Sequence, residues 1–435
     1  MKILILDSGG RGDALSWCLK QDSRVEKVFC LPGNVGMEKN GIIVRSDCRT
    51  PEEIVEFAMA EKIDLAVGGS EGILSAGAAD IFEKNSIPFV GPKKEACILE
   101  SSKGYTDILC REVGVPVPEF EIFDDPEKAK EYIKDLPYEV VVKCDGLAEG
   151  KGAIVCSSQK EAYDAVDRVF EMQKIGKWGG KSVVVQKRIY GRELSFFFVT
   201  DGKTLKPLPV AQDYKRAKDG DEGKNTGGMG SYSPHEWESP ELTKIVTEKI
   251  AEPILRGFKE KRGIAYRGFI YFGLIFEDGD MKKPVLLEIN VRLGDPEAEV
   301  ILPRLKTPLL DICQALLENK LEEINVEFSE DYFCDVVAAS GEVKSTGKGK
   351  YPGYPGRYKI GFPVSGYFEN NFQSLAFSAG IAKDPEGKFV TSGGRVLHLV
   401  GRGKNFEEAR SLAYSEMKKI NFEGIYFRKD IGIGK

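Results

Sequence analysis

Leu287-Glu288-Ile289-Asn290-Val291-Arg292-Leu293-Gly294-Asp295-Pro296-Glu297 places three polar side chains at every second position of an otherwise apolar run. On an extended strand, residues two apart share a face, so Glu288 and Asn290 point the same way and Arg292 continues that face. Two oxygen donors on one face suit a hard divalent cation shared with nucleotide phosphates. A guanidinium beside them can pair bidentately with a carboxylate or a phosphate. The polar outer face of an ordinary strand would read similarly. Here, however, residues 284–287 are apolar, and so is the run 269–276 before them. Residues 268–276 and 284–290 are therefore expected to form a hairpin around Glu277-Asp278-Gly279-Asp280.

Three further clusters lie upstream. Lys143-Cys-Asp-Gly-Leu-Ala-Glu-Gly-Lys151-Gly152 reads as a strand end followed by a glycine loop. Glycines let backbone N–H groups approach phosphate oxygens, and two lysines neutralise their charge. The Gly-Lys-Ser/Thr of a Walker loop is missing, and taken alone the segment is as well explained by a surface hairpin. Gln186-Lys-Arg-Ile-Tyr-Gly191-Arg-Glu193 reads as a strand, a turn and a carboxylate opening the next strand. That carboxylate could accept from both hydroxyls of a ribose, or merely cap an edge. Gln212-Asp213-Tyr214-Lys215-Arg216, followed by Asn225-Thr-Gly-Gly-Met-Gly230, combines cations with a glycine run. Its basic residues could hold phosphate or a developing acyl phosphate. A loop of that composition is costly to order without a use.

Residues 1–100 alternate short apolar strands (2–6, 28–31, 64–67, 88–90) with helical stretches (13–20, 51–62, 76–84). That alternation implies a parallel sheet with helical crossovers. Thr50 is the expected N-cap of the second helix. A helix over 103–114 precedes a mixed lobe with strands at 140–144, 153–156, 182–187 and 194–199. The amphipathic stretch 308–318, a strand-rich tail with a Gly/Pro/Tyr-rich loop at 347–356, and a helix over 406–419 complete the chain.

Composition narrows the function class. The chain has 435 residues, 42% hydrophobic and 30% charged, with a net charge of −6. This fits a multidomain globular protein and argues against a broad nucleic-acid face. Nine cysteines show no paired spacing, and only His235 and His398 exist, which disfavours a His-rich metal centre or a Ser-His-Asp triad. Free thiols fit a reducing cytosol. The first residues enter a strand without a signal-peptide pattern, and no apolar run is long enough to span a bilayer.

The four clusters, in this order and at these separations, resemble the ATP-grasp superfamily and, within it, the phosphoribosylamine–glycine ligase family. The third and fourth are specific to that ligase family among ATP-grasp enzymes. Ser392-Gly-Gly-Arg-Val396 and Phe427-Arg-Lys-Asp-Ile-Gly432 extend the likeness to the tail. The resemblance implies an α/β and α+β architecture. A parallel-sheet preATP-grasp domain would occupy residues 1–102, a two-lobed ATP-grasp core 103–325 with its lid lobe at about 120–190, and a small strand-rich C-terminal domain 326–435. It also implies the reaction of ATP, glycine and 5-phosphoribosylamine to glycinamide ribonucleotide, ADP and phosphate. Lys103, Lys143 and Lys151 would contact phosphates, with Gly150 and Gly152 in the loop above them. Glu193 would take the ribose, and the strand edge with Gln186, Lys187 and Ile189 the adenine. Glu288 and Asn290 would hold Mg²⁺ or Mn²⁺. Arg292, Lys215 and Asp213 are the expected catalytic groups. Gly10, Arg11, Gly33, Asn34, Glu71, Gly294 and Asp295 are the expected substrate contacts. The expected partners are these small molecules, not nucleic acid or membrane, for a cytoplasmic monomer or small homo-oligomer.

Departures from the family pattern lie in the N-terminal loops. The family reads Gly-Gly-Arg-Glu-His where this chain has Gly9-Gly10-Arg11-Gly12-Asp13, and Gly-Pro-Glu where it has Gly69-Ser70-Glu71. The family's two acids at the adenine edge are Gln186 and Lys187 here. With Asp13 in place of a potential cation, the phosphate of the amine substrate is expected to rest on Arg11 and backbone N–H groups. Another ATP-grasp ligase with a different amine or acid is the main alternative, and a catalytically dead binding paralogue a second. A nucleotide-binding oxidoreductase fails because Leu15 replaces the third fingerprint glycine and no acid ends the second strand.

Overall fold

The computed structural model describes residues 1–45, 48, 50–148, 151–344 and 350–433. Gly150 and residues 347–349 of the Gly/Pro/Tyr-rich loop lie outside them. The N-terminal unit is built on β1 (Lys2–Asp7), α1 (Gly10–Lys20), β2 (Lys27–Pro32), β3 (Ile43–Val44), α2 (Pro51–Glu61), β4 (Leu65–Gly68), α3 (Glu71–Ser75), α4 (Ala78–Lys84) and β5 (Phe89–Val90). Its strands form a parallel sheet in the order β3-β2-β1-β4-β5. The apolar run of β1 serves both faces. Ile3 and Ile5 enter the core that takes Ala14, Leu15 and Leu19 of α1, while Leu4 and Leu6 enter the core under Ile54, Phe57 and Phe82. Strands buried on both faces read as continuous apolar runs for this reason.

Two expectations for this unit need correction. The Gly-rich stretch before residue 13 is no turn: α1 begins at Gly10, with Gly9 as N-cap. Glycine is needed there for close packing, since a Cβ on Gly12 would stand 2.7 Å from the Asp7 Cβ. The helix expected over 76–84 is broken at Gly77, whose φ of +100° favours glycine and separates α3 from α4. Thr50 does cap α2, in a reciprocal box with Glu53.

Helices α5 (Ile98–Ser101) and α6 (Lys103–Glu112) lead into a lobe made of β6 (Phe120–Phe123), α7 (Pro126–Lys134), β7 (Val140–Cys144), β8 (Ala153–Cys156), α8 (Gln159–Lys174) and β9 (Val183–Lys187). The strand order is β6-β9-β7-β8, all antiparallel. The strand carrying Gln186 is thus interior, not an edge as the sequence suggested, because β6 and β7 take its two sides. Strand order is set by long-range pairing that local pattern does not encode.

The second lobe contains β10 (Gly191–Thr200), β11 (Leu205–Pro207), β12 (Gln212–Asp213), β13 (Arg216–Lys218), β14 (Glu222–Asn225), β15 (Gly230–Ser233), α9 (Pro240–Val246), α10 (Glu252–Arg262), β16 (Gly268–Glu277) and β17 (Pro284–Asn290). The sheet β11-β10-β16-β17 separates two cores. Phe196, Phe198, Phe272 and Phe276 face one, and Phe197, Phe269 and Tyr271 the other. The β16–β17 hairpin forms as expected, with one irregularity. Gly273 pairs with Glu288 while Leu274 pairs with Leu286, so Leu287 is an extra residue whose carbonyl is released from the ladder.

The chain closes with α11 (Ala298–Ile301), α12 (Leu309–Glu318), β18 (Tyr332–Ser340), β19 (Val343–Lys344), β20 (Lys350–Tyr351), β21 (Leu375–Ser378), β22 (Ile381–Lys383), β23 (Phe389–Thr391), β24 (Arg395–Gly403), α13 (Phe406–Met417) and β25 (Ile425–Tyr426). The sheet β12-β15-β18-β24-β21, with β25 also on β18, draws in β12 and β15 from the two ends of the Gln212–Gly230 cluster, while β13 and β14 pair separately. No helix among the described residues is long and apolar enough to cross a membrane.

Asp13 joins the first unit to the last. Its Oδ2 accepts from the Ser378 N–H at 2.8 Å and its Oδ1 from the Asn40 amide at 2.9 Å. It is fully buried, and burial pushes its carboxyl up to about 6. Asp13→Ala strands these donors and should cost about 1–3 kcal/mol. Urea unfolding would check this, and an unchanged midpoint would show that the link carries no stability.

Candidate functional site

Lys143, at the end of β7, is buried, and its Nζ donates to the released Leu287 carbonyl at 2.8 Å. The extra residue of β17 therefore holds a cation that comes from the other lobe. Burial draws Lys143 below its ordinary pKa; Lys103 and Lys215 add to this, and Asp107 and Glu288 oppose it. The loop after Lys143 is pinned by Asp145. Its carboxylate accepts from the Ser102 hydroxyl and the Gly104 N–H at 3.0 Å each, and from the Ser182 hydroxyl at 2.9 Å. Gly152 closes the loop by accepting from the Cys144 N–H at 2.7 Å. Gly146 packs so closely on Gly179 that a Cβ would lie 2.2 Å from its carbonyl carbon. This contact gives Gly146 a steric need that phosphate approach alone did not supply.

Glu288 lies next to these cations. Its Oε1 is 3.0 Å from Lys215 Nζ and accepts from the Tyr271 hydroxyl at 3.4 Å. Burial would raise its pKa, but Lys215, with Lys143 and Lys103 beyond, holds it down to about 2. Lys215 also stands 3.6 Å from Glu193. Burial alone would depress Lys215, yet Glu288, Tyr271 and Glu193 carry it well above the ordinary lysine value. An ionised oxygen donor at Glu288, with Asn290 on the same side of the strand, is a donor set that fits a hard divalent cation. Asp213 and Glu297 form a second acidic pair behind Lys215. Burial and Glu297 push the Asp213 carboxyl well above its usual range. Glu297 accepts from the Ser195 hydroxyl at 2.9 Å.

Near the end of β9, Gln186 is buried and its amide donates to Asp107 at 2.5 Å. Burial pushes Asp107 up to about 6, while Lys143 and Gln186 pull it down. Lys187 turns aside to Glu119 at 3.5 Å and lies over the Tyr138 ring. The Arg188 N–H donates to the Glu139 carbonyl, so the ladder continues past Lys187. Ile189, half-buried, follows where β9 ends.

Arg292 lies just past β17, between two acids of the N-terminal segments. Its Nη2 is 2.9 Å from Glu100 and its Nε 3.4 Å from Glu71, while Glu100 also accepts from the Val291 N–H at 2.9 Å. Burial alone would lower the Arg292 pKa, but Glu100 and Glu71 raise it overall. Glu71 is carried up by burial and brought down to about 2 by Arg292 and Arg11.

Arg11, an expected substrate contact, has a buried side chain with several protein partners. Nε donates to Asp7 at 2.6 Å, Nη1 donates to the Leu293 carbonyl at 3.1 Å, and Nη2 is 3.8 Å from Glu71. Asp7 in turn accepts from the Ser8 and Gly9 N–H groups, fixing the turn before α1. Asn34 is committed too. Its amide donates to the Ser8 and Ser378 carbonyls, and its oxygen accepts from the Gly36 N–H and the Ser378 hydroxyl. Gly33, with φ +62°, and Gly10 keep these loops close to their neighbours. Gly294 lies over Glu297, and Asp295 Oδ2 accepts weakly from the Arg11 N–H at 3.4 Å.

The structure thus gathers Lys103, Lys143, Lys215, Glu193, Glu288 and Asp213 into one charged group. Arg11, Glu71, Arg292 and Asp295 form another. Sequence reasoning missed Asp7, Glu100, Asp107, Asp145 and Glu297. Asp145 and Glu297 lay inside quoted motifs, whereas nothing local marks Glu100 or Asp107.

Comparison with known proteins agrees with this layout. Family models of phosphoribosylglycinamide synthetase match in series: the N domain over residues 1–100, the ATP-grasp (A) domain over 101–298 and the C domain over 351–434. The phosphoribosylamine–glycine ligase of Archaeoglobus fulgidus is 41% identical, covering 100% of this chain and 99% of its own length. That of Caldanaerobacter subterraneus subsp. tengcongensis is 39% identical over 100% of both. The crystal structure of phosphoribosylamine–glycine ligase from Thermotoga maritima superposes with a TM-score of 0.80 at 34% identity, covering 99% of this chain and 100% of its own. A biotin carboxylase domain from Hydrogenobacter thermophilus, at 16% identity and a TM-score of 0.69, shares the fold alone. With three family models in series and relatives matched end to end, the chain belongs to the phosphoribosylglycinamide synthetase family, with an ATP-grasp core.

Proposed function

We propose that the chain joins glycine to 5-phosphoribosylamine at the expense of ATP, giving glycinamide ribonucleotide, ADP and phosphate, a step of purine biosynthesis. The observation that carries this reading is a pair of charged groups joined through β17 and the residues just after it. A lysine-rich group built around an ionised Glu288 meets an arginine-centred group built on the N-terminal unit. Full-length relatives named for this ligation support the choice of substrates.

A glycine carboxylate is a poor electrophile until the γ-phosphoryl group of ATP is transferred to it, making an acyl phosphate. The amine then attacks the acyl carbon and phosphate leaves. The protein contributes chiefly by positioning and by neutralising charge. Lys103, Lys143 and Lys151 face the phosphates, and Gly152, with Gly150, lets the loop over them lie close. Lys143 is already aimed by the Leu287 carbonyl, so little ordering remains when nucleotide binds. Glu193 takes the ribose, and the chain end at Gln186, Lys187 and Ile189 borders the base. Glu288 and Asn290 would hold Mg²⁺ or Mn²⁺, which when bound neutralises phosphate charge. Lys215 sits between Glu193 and Glu288 and keeps positive charge where phosphate oxygens gather. Asp213, raised in pKa by burial and by Glu297, suits accepting a proton from the attacking amine. Arg292 steadies the glycine carboxylate and the oxyanion that forms from it.

On the amine side, Gly10, Gly33, Asn34, Gly294 and Asp295 shape the pocket, and backbone N–H groups at the start of α1 face the phosphate. Arg11 positions that turn through Asp7. Nine cysteines that form no disulfide among the described residues suit a reducing cytoplasm.

Phosphate release by the purified chain with ATP, Mg²⁺, glycine and phosphoribosylamine formed in situ, with product mass read in parallel, tests the assignment. Release requiring every component, with the mass of glycinamide ribonucleotide, is expected. ATP binding without that product would move the reading to another amine or acid. Lys143→Met should lower kcat/KM for ATP by about 100-fold while the fold persists by circular dichroism. Arg11→Ala should raise the apparent KM for phosphoribosylamine about tenfold and leave that for ATP within about twofold. Equal effects on the two would remove Arg11 from the amine side.

A further inference from the structure

A second group of ionisable side chains lies under the first turn of α1, away from Glu288 and Asn290. Asp295 follows β17, Glu299 is on α11, and His398 is on β24. One ligand atom from each lies within 4.8 Å of the others. Glu299 and His398 are 0% exposed. Both Glu299 oxygens and the His398 Nε2 are buried without a hydrogen-bond partner, and the Asp295 Oδ1 has only the Arg395 ion pair. The other imidazole nitrogen, Nδ1, is 2.8 Å from the Asp335 Oδ2. A carboxylate on the far nitrogen is what orients a metal-binding histidine and fixes its tautomer.

Charge balance discriminates between the ways of satisfying this group. Asp295, Glu299 and Asp335 bring three carboxylates, against Arg395, with Nη1 3.0 Å from the Asp295 Oδ1, and Arg11, whose guanidinium is already shared with Asp7 and Glu71. An imidazolium would still leave the acids in excess. A proton on Glu299 would remove charge but create a buried donor. The nearest ring nitrogen, at 3.8 Å, is already engaged with Asp335. A dication satisfies both the charge and the orphaned oxygens. We propose that Asp295, Glu299 and His398 bind a divalent transition-metal cation, a site separate from the one that serves nucleotide. One imidazole with two carboxylates favours ions of the Zn²⁺, Co²⁺ or Mn²⁺ type over Mg²⁺. Gly10 belongs to this site as well, since a Cβ there would lie 2.5 Å from Glu299 Oε1 and 2.6 Å from His398 Nε2. The cation would tie together Asp295 and Glu299 from the end of the ATP-grasp region, His398 from the C-terminal sheet and the first turn of α1.

The test uses the full chain, stripped with chelator and dialysed against Zn²⁺ or Co²⁺ without nucleotide. About one retained equivalent is expected, with one imidazole in its X-ray absorption coordination shell. Glu299→Gln and His398→Gln should each weaken retention by at least about tenfold, whereas Glu288→Gln should retain the ion. No retained metal in the wild-type chain, or an all-oxygen shell, would overturn the proposal even if the variants failed to fold. So would retention that is indifferent to Glu299→Gln and His398→Gln, or that is abolished by Glu288→Gln.

Discussion

The guanidinium of Arg292, held between Glu100 at 2.9 Å and Glu71 at 3.4 Å, is the contact on which the rest of the site depends. A buried cation is tolerated only with paired charge and satisfied hydrogen bonds, and losing one partner is far costlier than never having built the pair. Here the partners come from α3 and α5, while the arginine lies just past β17, the strand that carries Glu288 and Asn290. The pairing therefore fixes the N-terminal unit against the end of β17. The same logic recurs at Lys143, which reaches across the lobes to a carbonyl released by the extra residue in β17.

Much of this was legible in the sequence where function is written locally. Glu288 and Asn290 could be assigned to one face from their spacing, and the hairpin around them followed from its turn. Lys143 and its glycine loop were visible for the same reason. Partners distant along the chain were not visible. Glu100 meets Val291 and Arg292, and Asp107 meets Gln186, through folding alone. The Gly-rich stretch read as a turn is the first turn of α1, where Arg11 is closed over Asp7, because helix start depends on packing that the glycines alone do not reveal. Gln186 was placed on an edge because strand order depends on pairings that no short window contains.

The fold is shared well beyond this family, since biotin carboxylase domains superpose at 14–16% identity. Architecture alone therefore says little about which acid or amine is used. The distinguishing information lies where the N-terminal unit, β17 and the C-terminal sheet converge, and there this chain has Gly12, Asp13 and His398 packed into one buried interface. Asp13 serves Ser378 and Asn40, so its departure from the family's histidine is absorbed structurally instead of being left facing substrate.

The central claim is that Arg292 couples the amine-binding and nucleotide-binding ends through Glu71. A double-mutant cycle with Glu71→Gln and Arg292→Met, read as kcat/KM for phosphoribosylamine and for ATP, tests it most directly. A coupling energy of about 1 kcal/mol or more in both parameters is expected for a shared buried pair. Additive effects, with coupling near zero, would contradict the account and leave the two charged groups energetically independent.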